Sequence, residues 1–389
     1  MKETLIRPEL QLIIKGIIKK KGKISFHDFM EVALYHPEHG YYMSSREKIG
    51  KDGDFYTSPD VHKVFGTTIM KQLKEMQSLL PEDRHFHIIE AGAGKGSMCR
   101  QILDAAKERE PSLYESIRYS VVEKSAALME VQKEGIGSAG HIEKVSWQKD
   151  MASALRVPQS AVVISNELID AFPVHRVVFS GGRWKEIFVT LADGNLSEVT
   201  TPLSDPSLEA CLSKLEGPFD EGYKTEVNLD GVRWIKNVGE NLKQGFLITI
   251  DYGYPRADYY SPLRNDGTLL CYYRHSTTDN PYTRVGQQDI TAHVDFSSLA
   301  EAGREAGLEL TGFCEQFHFL MGLGVFDELS SMDEREDFDS EAYRQNMAIK
   351  RLLMPEAMGG VFKVLIQHKG LDEKPALKAF SFKELSHRL

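Results

Sequence analysis

The feature that most limits the folds open to this chain is an alternation of short apolar runs with helix-period segments that begins after residue 80. His87-Ile88-Ile89 leads into Glu90-Ala91-Gly92-Ala93-Gly94-Lys95-Gly96, after which Met98, Ile102, Leu103 and Ala106 recur at helical spacing. Tyr119-Ser120-Val121-Val122-Glu123 reads as a second strand with a helix from about Ser125, Val145-Ser146-Trp147 as a brief third, and Ala161-Val162-Val163-Ile164-Ser165 as a fourth. The pattern resumes at Phe246-Leu247-Ile248-Thr249-Ile250-Asp251, followed by a helix expected over 296–306 and strands near 308–313 and 361–366. Near-continuous apolar strands separated by helices require a mainly parallel sheet covered on both faces. The expected class is therefore α/β and doubly wound, with decorations.

Those decorations have their own signals. Leu10, Ile13, Ile14, Ile17 and Ile18 make one stripe of a docking helix. Lys15, Lys19, Lys20, Lys21 and Lys23 lie among them and break any apolar stretch that a secretory signal would need. A loop is expected from Gly40 to Thr57, then a helix capped by Ser58 with Pro59 at its first position and Val61, Val64, Phe65 and Ile69 on one face. Gly181-Gly182 marks a hairpin, beyond which the chain turns polar and irregular. The expected organisation is an N-terminal helical segment over 1–80, a core over 81–180 and 243–370, an insertion over 181–242, and a tail over 371–389.

Composition excludes several classes. Acidic residues outnumber basic ones, 57 against 47, and the formal charge of −10 argues against a nucleic-acid groove as the working surface. Cys99, Cys211, Cys271 and Cys314 lie far apart without a CxxC clip, so they read as thiols rather than zinc ligands. His85 and His87 lack a third ligand at metal spacing, and no metal is expected. The apolar runs are far shorter than the roughly 20 residues that membrane insertion demands.

In a doubly wound sheet the ligand lies outside the carboxyl ends of the strands, and the first glycine-rich turn is its floor. A dinucleotide fingerprint counted from Gly92 would place glycine at 97, where the chain has Ser97. Glu90, at the end of the first strand, would repel a pyrophosphate but attract the ammonium and sulfonium charges of S-adenosyl-L-methionine. Glu90, Gly92, Gly94 and Gly96 thus point to that cofactor. The alternative for Glu90 is a cap or salt bridge to the following helix. Glu123 ends the second strand where a carboxylate can accept both ribose hydroxyls. Asp150 is placed to receive the adenine amine, with an ordinary exposed loop aspartate as the competing reading. The fourth strand runs out into Asn166, Glu167 and Asp170. Asn166 can offer a carbonyl to the methionyl amine, while Glu167 and Asp170 can orient or deprotonate a nucleophile. An acid-rich helix N-terminus would also place such residues there. Methyl transfer is an in-line displacement in which the protein's share is alignment and exclusion of water.

The longer motifs carry a resemblance. Ala33-Leu34-Tyr35-His36-Pro37-Glu38-His39-Gly40-Tyr41-Tyr42, Gly53-Asp54-Phe55-Tyr56-Thr57-Ser58-Pro59, the Glu90 to Gly96 turn and Asn166-Glu167 with Asp170-Ala171-Phe172-Pro173-Val174 occur in order. Ile250-Asp251-Tyr252-Gly253, Thr291 to Phe296 and Met354-Pro355-Glu356-Ala357-Met358-Gly359 come after them. Together they resemble the MidA family of methyltransferases, related to a mitochondrial complex I assembly factor that methylates protein arginine. The resemblance implies a seven-stranded Rossmann-like class I methyltransferase sheet with an N-terminal segment closing over the cofactor and insertions. It also implies symmetric dimethylation of arginine in a partner protein. Thr57 and Ser58 then belong to the closing wall against the cofactor, and Glu167, Asp170 and Asp54 are candidates to hold a guanidinium. Ala93 departs from the family, where proline is expected in many members. The lack of an Arg- and Ser-rich presequence suggests a bacterial, cytoplasmic member; a eukaryotic mature form would lie in the mitochondrial matrix. Homodimerisation stays open. So do two other readings, a small-molecule O- or N-methyltransferase and a cofactor-binding assembly factor without catalysis.

Overall fold

The computed structural model describes residues 9–44, 48, 53–54, 57–331, 340–354 and 358–389. Phe55 and Tyr56 of the expected closing segment, Pro355 to Ala357 of the last motif, and 45–47 and 49–52 of the expected loop lie outside those residues. The chain divides into two compact units: Met1–Phe55, Ile169–Arg233 and Tyr254–Asp295 form the first, and Tyr56–Leu168, Trp234–Gly253 and Phe296–Leu389 the second.

Among the described residues the second unit is built on seven strands: β1 (Phe86–Ala91), β2 (Ile117–Val122), β3 (Val145–Gln148), β4 (Ser160–Asn166), β5 (Gln244–Tyr254), β6 (Glu309–Glu315) and β7 (Phe362–Lys369). Their order is β6-β7-β5-β4-β1-β2-β3. Pairing is parallel from β5 through β4, β1 and β2 to β3, and β7 is antiparallel to both β5 and β6. This is the α/β sheet expected from the apolar runs. The central strands are buried because helices cover them: every residue of β4 is buried, which explains why alternation is absent from its sequence.

The helices of this unit include α1 (Ser58–Val61), α2 (Val64–Leu79), α3 (Ser97–Arg109) and α4 (Ala126–Ser138). Phe65, Ile69 and Leu73 of α2 and Ile102 and Leu103 of α3 share a core with Ile88, Ile164, Ile248 and Val364 of the sheet. Truncating such a fully buried Ile or Leu costs about 2–5 kcal/mol. Ser58 does not cap α1 as expected; Thr57 is the cap residue, without a side-chain capping bond, and Ser58 and Pro59 are the first two helical positions. The physical reason is that Thr57 Oγ1 and Ser58 Oγ are both engaged elsewhere, with Asp60 and Gln316.

The first unit contains the N-terminal helix Glu9–Lys21, whose buried residues Leu10, Ile14 and Ile18 are the expected stripe. Its five-stranded sheet includes the expected hairpin, strands His175–Ser180 and Arg183–Ala192, turning on Gly181 and Gly182 at φ 63° and 72°. The stretch beyond was expected to be irregular. Instead Asn195–Thr201 and Lys224–Val227 continue that sheet. Their polarity reflects a sheet with solvated positions: Glu198, Val199 and Thr200 are exposed. The units also cut the chain differently from the expected 1–80 and 181–242 boundaries. Residues 57–80 supply α1 and α2 to the second unit, and 254–295 joins the first.

An imidazole pair locks the first unit. His27 Nε2 lies 2.9 Å from Asp230 Oδ2, its ring stacks on His175 at 4.8 Å, and His175 Nδ1 lies 2.8 Å from Glu186 Oε1. Burial disfavours charge on His27, but hydrogen bonds and charge from Asp230 and Asp28 more than offset it and raise its pKa to about 9. The raised value means that stabilisation is complete below about 6.5, the unfolded value, and is lost as pH rises through 9. Thermal melts from pH 6 to 10 should therefore show His27→Gln destabilised at pH 6 and level with the parent at pH 10. A gap that is the same at both ends would remove the imidazolium from the account.

Candidate functional site

The glycine turn leaves β1 in the second unit. Gly92, Gly94 and Gly96 all adopt left-handed backbone, at φ 69°, 54° and 78°, conformations that side-chain-bearing residues rarely enter. A Cβ on Gly92 would sit 2.7 Å from Leu168 Cδ1, just beyond β4, and one on Gly96 would meet Gln132 and Ile136 of α4 at 3.4 Å. Gly92 therefore allows close approach at the strand ends, whereas Gly96 allows helix packing. Gly92 N donates to Val122 O at 3.0 Å, tying the turn to β2.

Glu90 is 3% exposed and accepts from Tyr119 Oη at 2.7 Å. Burial pushes its pKa up to about 7 against the Tyr119 hydrogen bond, and the negative charge of Glu123 adds to the rise. Glu123 itself follows β2. Its Oε1 accepts from Ser125 N at 2.8 Å and its Oε2 from Gln132 Nε2 at 3.2 Å. A carboxylate can accept about four hydrogen bonds, so this one can serve both a helix start and a ribose. Gln132 Nε2 also donates to Gly94 O at 2.8 Å, and Trp147 Nε1 donates to Gln132 Oε1 at 2.9 Å. One buried amide thus binds the glycine turn, the acid after β2 and the tryptophan of β3. Gln132 was not anticipated from sequence, because a lone glutamine on a helix carries no pattern.

At the end of β4 a second set converges. Glu167 has φ 51°, an uncommon conformation for a side-chain-bearing residue that stores about 1–3 kcal/mol of strain. Its backbone N donates to Ile250 O at 2.9 Å. Its Oε1 accepts from Ser58 N at 2.9 Å and from Asn166 Nδ2 at 3.1 Å. Asn166 Oδ1 is buried and makes no hydrogen bond among the described residues, an acceptor open to a ligand's ammonium group. Around α1, Asp60 accepts from Thr57 Oγ1 and from Ser97 Oγ, the latter at 3.0 Å. Gln101 Nε2 reaches Pro59 O at 2.7 Å. Asp150, expected near adenine, is exposed and caps a short helix by accepting from Ser153 N at 2.7 Å.

The first unit holds an acid and tyrosine cluster of its own. Tyr41 Oη donates to Asp54 Oδ2 at 2.8 Å, and Arg274 N donates to Asp54 Oδ1 at 2.7 Å. Tyr42 Oη lies 2.9 Å from both oxygens of Asp289. Burial and the negative charge of Asp170 lift Asp289 to about 8, partly opposed by hydrogen bonds from Tyr42 and Ile290 N, and Asp54 adds a smaller repulsion. Asp170 and Asp54 were anticipated from sequence; Asp289 was not. The aromatic residues that precede it in the chain are spent largely on packing. Tyr259 is 3% exposed, and the Arg264 guanidinium lies 3.8 Å over the ring of Tyr254.

The sheet order, the left-handed glycine turn at the end of β1, the acid after β2 and the open acceptor at the end of β4 fit S-adenosyl-L-methionine and define a class I methyltransferase. A family profile described as S-adenosyl-L-methionine-dependent methyltransferase matches residues 64–314, and the chain belongs to this MidA-type family, COG1565. A solved Burkholderia thailandensis COG1565 protein with S-adenosyl-homocysteine bound is similar at 31% identity and TM-score 0.89, over 99% of this chain and 97% of that one. Among curated relatives, the Drosophila melanogaster mitochondrial protein arginine methyltransferase NDUFAF7 homolog is 25% identical, over 94% of this chain and 87% of its own. The human mitochondrial protein arginine methyltransferase NDUFAF7 is 26% identical, over 95% and 86%. Among the described residues no helix is long and apolar enough to cross a membrane.

Proposed function

We propose that this methyltransferase acts on arginine side chains of a partner protein and carries the product to symmetric dimethylarginine. The supporting observation is the Asp54, Asp170 and Asp289 group in the first unit. A guanidinium remains protonated at any working pH and needs carboxylates to hold it, and a cation there would relieve the repulsion that raises Asp289. The mitochondrial relatives are named as protein arginine methyltransferases, in agreement with that substrate.

The bound cofactor supplies an electrophilic methyl group on a sulfonium; the chain supplies position. Gly92 and Gly94 let a ligand meet backbone, Glu123 receives ribose hydroxyls, and Asn166 Oδ1 receives the methionyl ammonium. Glu90 sets the charge beneath the turn, and Thr57 and Ser58 support the wall beside Glu167. In the first unit Asp170 orients the incoming guanidinium, and in the second Glu167 is the other candidate for that role. Asp150 reaches the adenine amine only by sharing its carboxylate with the helix it caps.

Host extract incubated with methyl-labelled cofactor should yield a labelled protein whose hydrolysate contains symmetric dimethylarginine. Label confined to small molecules would reject the arginine reading in favour of a metabolite methyltransferase. Cofactor binding by calorimetry with no label anywhere would favour an assembly factor without catalysis.

A further inference from the structure

We propose that the buried Glu90–Tyr119 pair reads the charge on the cofactor's sulfur, so that the chain holds S-adenosyl-L-methionine more tightly than S-adenosyl-homocysteine. The inference rests on the glycine turn being the cofactor's floor and adds a role for the acid beneath it.

The two ligands differ by one methyl group and one unit of positive charge. Both carry the same ammonium and carboxylate, so a protein that distinguishes them must sense the methyl, the sulfonium, or both. Glu90 is suited to the sulfonium. It stands in β1 directly before the turn, in the row of side chains that includes Ile88 and, across the register, Ile164 on β4. It is 3% exposed, and Tyr119 Oη at 2.7 Å is its hydrogen-bond donor. The titratable groups that face it are Tyr119 from β2, Cys99 from α3, and Glu123 beyond β2. None of these is cationic. Tyr119 and Cys99 are themselves pushed well up by burial, with the charge of Glu90 adding to each, so both stay neutral. A carboxyl group in this setting has one weak reason to ionise, the Tyr119 hydroxyl, and its pKa of about 7 reflects that.

An arriving cation supplies the missing reason. At an effective dielectric near 20, a unit charge placed within about 10 Å of a carboxylate would be worth roughly tenfold or more in an equilibrium constant. Binding of the sulfonium form would therefore draw Glu90 into its ionised state and release a proton near neutral pH. With a ligand whose sulfur is neutral that share of the attraction would be missing, and Glu90 would keep its proton. The product is then the weaker ligand, which favours its exchange for fresh donor. Linkage fixes the sign: discrimination between the two ligands grows as pH rises through 7, because ionised Glu90 is the form that prefers the sulfonium.

Calorimetry at pH 7 in two buffers of different ionisation enthalpy counts the protons directly. The parent protein should release a fraction of a proton on binding S-adenosyl-L-methionine and measurably less on binding S-adenosyl-homocysteine. Glu90→Gln should abolish the proton release, weaken S-adenosyl-L-methionine by roughly tenfold and leave S-adenosyl-homocysteine within about twofold, a change too small for a whole-charge effect. Tyr119→Phe should move the onset of discrimination to higher pH, since it removes the donor that favours the ionised acid. Equal weakening of both ligands by Glu90→Gln would make Glu90 a structural residue and overturn the proposal, as would equal proton release by the parent with both. A parent protein that binds neither ligand would instead overturn the placement of the cofactor on the glycine turn. The Glu90→Gln melting temperature separates misfolding from loss of discrimination, and Glu90→Asp, which keeps the charge, should restore part of the preference.

Discussion

Replacing Gly94 with valine should abolish cofactor binding in a protein that still folds. Gly94 sits at φ 54°, where a β-branched residue is a steric outlier and costs about 1–3 kcal/mol if forced to stay. The backbone would turn to escape, and its carbonyl would turn with it. That carbonyl accepts from Gln132 Nε2, and the same amide nitrogen donates to Glu123. One substitution thus displaces the floor of the site and loosens the acid assigned to the ribose. Calorimetry should show affinity for S-adenosyl-homocysteine reduced by about 100-fold or more, equivalent to losing at least about 2.7 kcal/mol. The melting temperature should fall by only a few degrees, because the helices and strands around the turn keep their own packing. A folded Gly94→Val protein with affinity near the parent's would remove the turn from the site.

The same turn marks how far the sequence could be read. The central strands were legible because they are buried almost throughout, as in β4 from Ser160 to Asn166, and so carry unbroken apolar runs, whereas β2 and β3, with half-buried or exposed positions, were legible only from their place in the alternation. Glu90, Gly92 and Glu123 could be singled out because strand ends in such a sheet are where ligands sit. The failures have physical causes too. Strands of the first unit such as Asn195–Thr201 have exposed positions and no apolar run, so the sequence there looks irregular. Ser58 looked like a cap because Ser before Pro is a common start, yet its hydroxyl goes to Gln316, some 258 positions away in the chain. No local rule anticipates such a partner. Asp289 and Gln132 share that difficulty: their significance lies in Tyr42 and Gly94, residues brought to them only by the fold.

The acid cluster illustrates a trade between stability and use. In the first unit Asp289 has a pKa near 8, lifted by burial and by Asp170, while the unfolded chain would titrate near 3.8. Between those values the native state binds the proton that the unfolded chain has lost, so stability falls as pH rises from about 4 to 8. A site that destabilises its own fold at neutral pH is what a cation-binding group looks like before the cation arrives.

Asp289→Asn should therefore act in opposite directions on the two properties. The amide keeps the shape and can still meet Tyr42 Oη, but it carries no charge to desolvate. Melts between pH 4 and 9 should show the variant gaining on the parent as pH rises, with the smallest difference near pH 4, where the acid of the unfolded chain has only begun to ionise. Transfer should fall by about 100-fold, the order of loss expected when a carboxylate that holds a buried cation is neutralised, while calorimetric affinity for S-adenosyl-homocysteine stays unchanged. The parent's rate of dimethylarginine formation should climb as Asp289 ionises towards pH 8, and the variant should lack that limb. If Asp289→Asn transferred methyl groups normally, the cluster would be a structural feature of the first unit and the guanidinium would have to be held elsewhere. If it lost stability at every pH, the hydrogen bonds with Tyr42 and Ile290 would outweigh the buried charge, and the inferred strain would be wrong in sign.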